Sequence, residues 1–241
     1  MNHPVAQRAI AAAGFMPGEL SEPRAPTIIP GNPSASIVVP MIDHAVTIDG
    51  DLSKWIKQAA IELTPTQRRN VESGFIRDAH DASVLAYLGW THEMFYVGGI
   101  ITDDELVTRK RDDKIYEDDC LELYWDLDND GFQFNDSPHD VQIGLAPSGP
   151  DGTPQLWAWG ALKRRPREIQ MATKMENDHV MFELGIPMTL LSGLKPGHPV
   201  GFSLAYHDRD LDGKEAKLHW SIDTTSNPGK IILGQLTLQP K

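Results

Sequence analysis

The chain has a single cysteine, Cys120, in 241 residues. That excludes an intramolecular disulfide and any cysteine-based metal cage. Cys120 falls in a strand-like run and reads as a small buried side chain. An unpaired cysteine suits either redox compartment, so cysteine usage does not locate the chain. No apolar run approaches the ~18 residues of a membrane-spanning helix, and membrane insertion is not expected. Basic residues are scarce: 22 Lys and Arg stand against 34 Asp and Glu, a formal net charge of −12. With no basic stripe to release counterions, nucleic acid is not expected as a partner. The one dense basic run, Lys163-Arg-Arg-Pro-Arg167, reads as a solvated loop or strand edge. Ala9–Phe15 is apolar but short, without a strongly basic leader or a clean cleavage site, and no signal peptide is assigned.

Periodic hydrophobicity is also missing from residues 1–36, which hold six prolines. They read as a flexible Pro-rich leader or linker with at most one short helix near Ala6–Phe15. Residues 37–241 read as one domain. Ser83–Trp90 and Met94–Ile101 are apolar runs separated by Thr91-His-Glu93, a hairpin signal. Further strand candidates are Asp119–Trp125, Val141–Leu145, Gln155–Ala161, Glu168–Met175, His179–Ile186, Val200–Tyr206, Lys217–Ile222 and Ile231–Leu238. Two short helices are expected: Lys54–Ala60 after a Ser53 cap, and a turn at Pro187–Leu191. Many short strands with Gly, Asp and Pro turns predict an all-β antiparallel sandwich, jelly-roll-like, with one or two short helices.

Two loops share the pattern Asp-x-Asp-x-Asp-Gly: Asp126, Asp128 and Asp130 before Gly131, and Asp208, Asp210 and Asp212 before Gly213. Carboxylates at alternate positions can converge on a hard cation, and glycine allows the sharp turn. The twelfth position of an EF-hand loop should be Glu; here it is Ser137 or His219. The loops are therefore Ca²⁺ loops on a β scaffold or plain Asx-turns at strand ends. Asp49 and Asp51 are weaker candidates.

Several phrases occur in a telling order: Ile48-Asp-Gly-Asp-Leu-Ser-Lys-Trp55, Leu85–Trp90, Met94–Val97, Ile101–Asp104, Tyr116-Glu-Asp-Asp-Cys-Leu-Glu-Leu123, Asp140-Val-Gln142, Phe182–Pro187, Gly201–Leu204 and Trp220. Together they resemble the family 9 carbohydrate-binding modules over roughly residues 45–238. The resemblance implies a β-sandwich with structural Ca²⁺ and no catalysis of its own. It implies an oligo- or polysaccharide ligand, often held at a chain end between two tryptophans, and a glycan-active enzyme partner. It also suggests an extracellular or periplasmic setting. The first clamp position is Tyr116 here. Glu122 and Gln142 are candidates for hydroxyl contacts. The segment Asp223–Lys230, where the second clamp would lie, has no aromatic residue.

A sugar site needs an exposed aromatic face beside polar side chains. Tyr116, Glu117, Glu122 and Gln142 have that chemistry. Trp157 and Trp159 share one strand face, by the period of two, and could form a platform or belong to the core. Trp55, Trp90, Trp125 and Trp220 read as core. Asp118, Cys120 and Glu122 should share one face, with Asp119, Leu121 and Leu123 on the buried one. A glycosidase carboxylate pair among Glu117, Asp118, Asp119 and Glu122 is a minor reading. His179 with Met171, Met175, Met181 or Met188 could instead hold haem b in an electron-transfer domain. A third alternative is a same-fold interaction module that no longer binds sugar. His207 reads as a turn or surface histidine.

Overall fold

Alternating apolar and polar residues build two sheets that close over one core. A computed structural model describes residues 35–55, 59–67, 70–134, 137–160, 162, 167–223 and 230–240. The short helix expected near Ala6–Phe15 and most of the basic run Lys163–Arg167 lie outside the described residues.

The first sheet is antiparallel throughout: β2 (Ala60–Leu63), β4 (Ala82–Trp90), β5 (Met94–Asp103), β10 (His179–Pro187) and β9 (Gln170–Glu176), in that spatial order. Its centre is the expected hairpin. Trp90 pairs with Phe95, and the Thr91 hydroxyl accepts hydrogen bonds from the Glu93 and Met94 amides.

The second sheet runs β1 (Ser36–Val39), β14 (Ile232–Leu238), β11 (Pro199–Arg209), β6 (Cys120–Asp126), β7 (Asp140–Ala146) and β8 (Gln155–Gly160). β11 is long enough to serve two partners on one edge. Pro199–Phe202 pairs with β14, and Ala205–Arg209 pairs with β12 (Glu215–His219). β3 (Val71–Ser73) extends β12, and β13 (Ile222–Asp223) adds to β14. The β1–β14 pairing is parallel, a departure from the expected antiparallel pattern.

The core lies between the sheets. Leu121, Leu123 and Trp125 enter it from β6, and Val180, Phe182, Leu184 and Ile186 from β10. Trp125 stands edge-on to Phe95, with centroids 5.8 Å apart, and Phe202 links Trp125 to Trp220. Such pairs add about 0.5–1.5 kcal/mol beyond area burial. Trp90, Trp125 and Trp220 are core residues, as their size leads one to expect.

Trp55 is buried elsewhere, on the outer face of the first sheet. There Glu183, fully buried, accepts hydrogen bonds from Trp55 Nε1 (2.6 Å) and from the Asp49 (2.7 Å) and Gly50 (2.5 Å) amides. This carboxylate fastens the Ile48–Trp55 segment across the sheet. Residues 56–58 of the helix expected at Lys54–Ala60 lie outside the described residues; just before them Leu52–Lys54 forms a 3-10 turn, capped by Asp51 rather than Ser53. Ala60 already belongs to β2, so sheet pairing overrides helix propensity there. Asp49 and Asp51 are occupied in this turn, bonding Lys54 and the Ser53 amide. The turn expected at Pro187–Leu191 forms as a 3-10 turn over Met188–Leu191.

Candidate functional site

The outer face of the second sheet carries the site. Cys120, Glu122 and Tyr124 point away from the core along β6, as the period of two requires. All three are nevertheless buried. The cover comes from a 3-10 turn, Asp112–Glu117, laid across β6, β7 and β8, and from Phe132. Ile115 anchors the turn on Cys120 and Ala146, with Trp157 and Trp159 packed alongside.

Beside this cover lies an open groove of about 440 Å³. Strand register explains who lines it. Tyr124 faces Gln142, and Gln142 faces Trp159 on the next strand. On the other side of β6, Cys120 faces His207, and His207 faces Lys217. The Trp159 ring lies over Gly144, where an added Cβ would stand 2.7 Å from the indole; the glycine makes room for the ring. Trp159 Nε1 donates to the Asp113 carbonyl at 3.2 Å. Tyr116, 44% exposed, stands edge-on to both Trp159 and His207, at 6.1 and 6.4 Å. Phe134 also lines the groove, braced by Tyr124 and Phe132.

Glu122 is the hub of the floor. Its Oε1 accepts from Gln142 Nε2 at 3.0 Å. Its Oε2 lies 2.7 Å from His207 Nε2 and accepts the Tyr124 hydroxyl. Burial alone would raise this carboxyl. The hydrogen bond and charge of His207, with Lys217 and Tyr124, outweigh burial and hold it down to about 2. Charge-assisted bonds of this kind fix side-chain positions.

Of the six residues expected in a sugar site, the structure brings Tyr116, Glu122, Gln142 and Trp159 to one groove. Glu117 lies outside it, in an adjoining cleft, paired with Lys110 at 2.7 Å. Trp157 packs on the Ile115 cluster instead. Asp113, Tyr124, Phe134, His207 and Lys217 join the groove without having been singled out as sugar-site residues. His207 is no surface turn residue but part of the groove wall, placed there by β11 pairing. The carboxylates Glu117, Asp118, Asp119 and Glu122 each engage different partners. Asp118 accepts from the Arg109 and Lys110 amides, and Asp119 from the Val107 and Arg209 amides.

The aspartates of each acidic loop do not converge on one point. Asp126 and Asp128 come together with Asp140, while Asp130 turns to Lys230 at 2.9 Å. Asp140 is buried, and its Oδ1 has no hydrogen-bond partner among the described residues. Burial pushes Asp140 up to about 6 and raises Asp126. In the second loop, Asp208 joins Asp103 and Asp119 in a buried trio. Asp210 joins Asp81 and Asp104, and Asp212 pairs with Lys214. Arg77 neutralises the outer group through Asp81 and Asp104. Among the described residues no basic side chain pairs with the inner trio. Burial, reinforced by mutual repulsion, raises Asp103 to about 6, Asp208 to about 8 and Asp119 to about 9. Oxygen-only donor sets with this surplus of negative charge fit a hard cation such as Ca²⁺.

His179 lies on the outer face of the first sheet, far from the groove in topology. Its Nδ1 meets the Thr102 hydroxyl at 3.1 Å, and its Nε2 the Asp178 carboxylate at 3.5 Å. Met181 shares its face of β10 and packs on the Trp55 cluster, and Met175 is exposed.

Comparison with known proteins adds to this geometry. The family model for carbohydrate family 9 binding domain-like sequences matches residues 48–239. No curated protein matches. Among solved structures, two of a carbohydrate binding module family 9 from Caldicellulosiruptor kristjanssonii are similar, both at 18% identity over 86% of this chain. One is in complex with cellotriose (TM-score 0.61, 94% of that chain covered) and the other with glucose (0.62, 96%). A putative carbohydrate-binding protein from Bacteroides uniformis is similar at 11% identity, covering 85% of this chain and 99% of that one, with a TM-score of 0.51. At these identities the likeness is one of fold.

Proposed function

The chain belongs to the carbohydrate family 9 binding domain-like family, and from that premise we propose that it is a non-catalytic carbohydrate-binding module. Its ligand is an oligo- or polysaccharide held in the groove on the outer face of the second sheet. One observation carries the reading: Tyr116 and Trp159 stand beside Gln142, which Glu122 fixes in place. Sugar C–H faces pack on aromatic rings, while their hydroxyls need donors and acceptors at set positions. Among the described residues Gln142 spends one amide hydrogen on Glu122, which leaves its carbonyl and second hydrogen for a ligand. Glu122, engaged by three side chains, positions its neighbours. The similar folds captured with cellotriose and glucose support a glucan-type ligand. The family resemblance further supports chain-end recognition and a glycan-active enzyme partner.

Structural Ca²⁺ is the second part of the proposal. The unpartnered Asp140 oxygen and the buried trio Asp103, Asp119 and Asp208 support it. Asp126, Asp128 and Asp140 would hold one ion and the trio another, each joining loops to strand ends.

Affinity electrophoresis through gels containing xylan or a soluble β-glucan tests the sugar reading. Retarded wild-type protein and freely migrating Trp159→Ala protein are the expected result. Equal wild-type mobility with and without either polysaccharide would overturn it.

A further inference from the structure

The groove has two exposed aromatic stations rather than one. Phe134 is 46% exposed, close to Tyr116 at 44%, and both line the groove. A phenyl ring gains roughly 1.5–3 kcal/mol by full burial, so a sugar face laid on Phe134 would recover part of that. Phe134 is held: it stands edge-on to Phe132 at 5.3 Å and to Tyr124 at 6.2 Å. Tyr124 is fixed in turn by its hydroxyl bond to Glu122. One side of the ring is therefore braced while the ring still borders the groove.

The two stations rest on different neighbours. Tyr116 stands against Trp159 and His207. Phe134 stands against Phe132 and Tyr124. Glu122, bonded to Gln142, His207 and the Tyr124 hydroxyl, links the two groups through the polar floor.

We propose that Phe134 is a second sugar-contacting aromatic, so that the groove takes an oligosaccharide whose rings rest at two stations, one on Tyr116 and one on Phe134. This rests on the sugar-binding reading above. It makes Phe134 a residue that selects ligand length, since an oligomer offers a second ring to it while the first rests on Tyr116.

Calorimetric titration of the full chain with mono-, di- and trisaccharides of β-linked glucose and of xylose tests it. Wild-type affinity should rise with length. Phe134→Ala and Phe134→Leu should each lose about tenfold of that rise; Phe134→Trp should keep it. The leucine variant retains apolar bulk, and an unchanged melting temperature for it shows that folding is intact. If wild-type protein gains with length and both variants gain equally, the inference is overturned while the sugar-binding reading stands. If wild-type protein binds no member of either series, both are overturned together.

Discussion

His207 Nε2 lies 2.7 Å from Oε2 of Glu122, a carboxylate buried on the outer face of its own sheet. The pair turns an outward-facing strand position into the fixed centre of a groove. It holds the Glu122 carboxyl at about 2, below the ordinary 4.5. A carboxyl lowered by folding stabilises the fold above its ordinary value and loses that contribution as pH falls toward the folded value. Glu122→Gln is therefore expected to lose about 2 kcal/mol at neutral pH. Denaturant titrations should show the gap between wild type and variant closing below about pH 4.5. A gap that stays constant down to acid pH would refute this.

The buried trio has the opposite sign. Asp103, Asp208 and Asp119 are raised to about 6, 8 and 9. Without a cation they favour the fold when protonated, and that contribution is lost as pH rises through these values. Calcium should thus raise the melting temperature more near pH 8 than near pH 5. Asp208→Asn should stabilise the chelator-treated protein and shrink the calcium response. Melting curves indifferent to chelator at both pH values would count against a cation here.

Glu183 holds three donors of the Ile48–Trp55 segment. Glu183→Ala should cost about 3–5 kcal/mol, because it strands the buried Gly50 amide and Trp55 indole N–H. Gly98→Ala should cost about 1–3 kcal/mol, since the new methyl would sit 2.5 Å from the Trp55 ring. Both effects should appear in chemical denaturation, and near-wild-type midpoints would show that this segment is not docked as described.

Gly144→Ala separates groove geometry from groove chemistry. Its methyl would stand 2.7 Å from the Trp159 ring and displace it. Sugar affinity should fall although no ligand-facing side chain has changed. Retained affinity would mean that Trp159 is not part of the ligand surface.

Much of this was legible in the sequence. The β4–β5 hairpin shows in two apolar runs around Thr91, and the inward face of β6 in Leu121, Leu123 and Trp125. β1, β2 and β3 escaped notice because three or four residues carry no clear period. The cover over Cys120, Glu122 and Tyr124 was also hidden, since alternation tells which way a side chain points but not what lies above it. Glu122 and Gln142 were found through the resemblance. His207 and Lys217 were not, because only the β6–β11–β12 register brings them beside Glu122. Phe134 carries no signal in the sequence, since a lone apolar residue beside an acidic loop belongs to no periodic pattern. The Asp-x-Asp-x-Asp pattern singled out two loops, but the carboxylates that gather with their aspartates, Asp103, Asp119 and Asp140 among them, come from other strands and loops.

In the proposed function, sugar binding depends on Tyr116 and its neighbours in the groove. Calorimetric titration with cellobiose and xylobiose in Ca²⁺-containing buffer is the decisive measurement. Micromolar to millimolar binding of at least one sugar is expected, abolished by Tyr116→Ala at an unchanged melting temperature. No heat with either sugar, or binding that survives Tyr116→Ala intact, would contradict it.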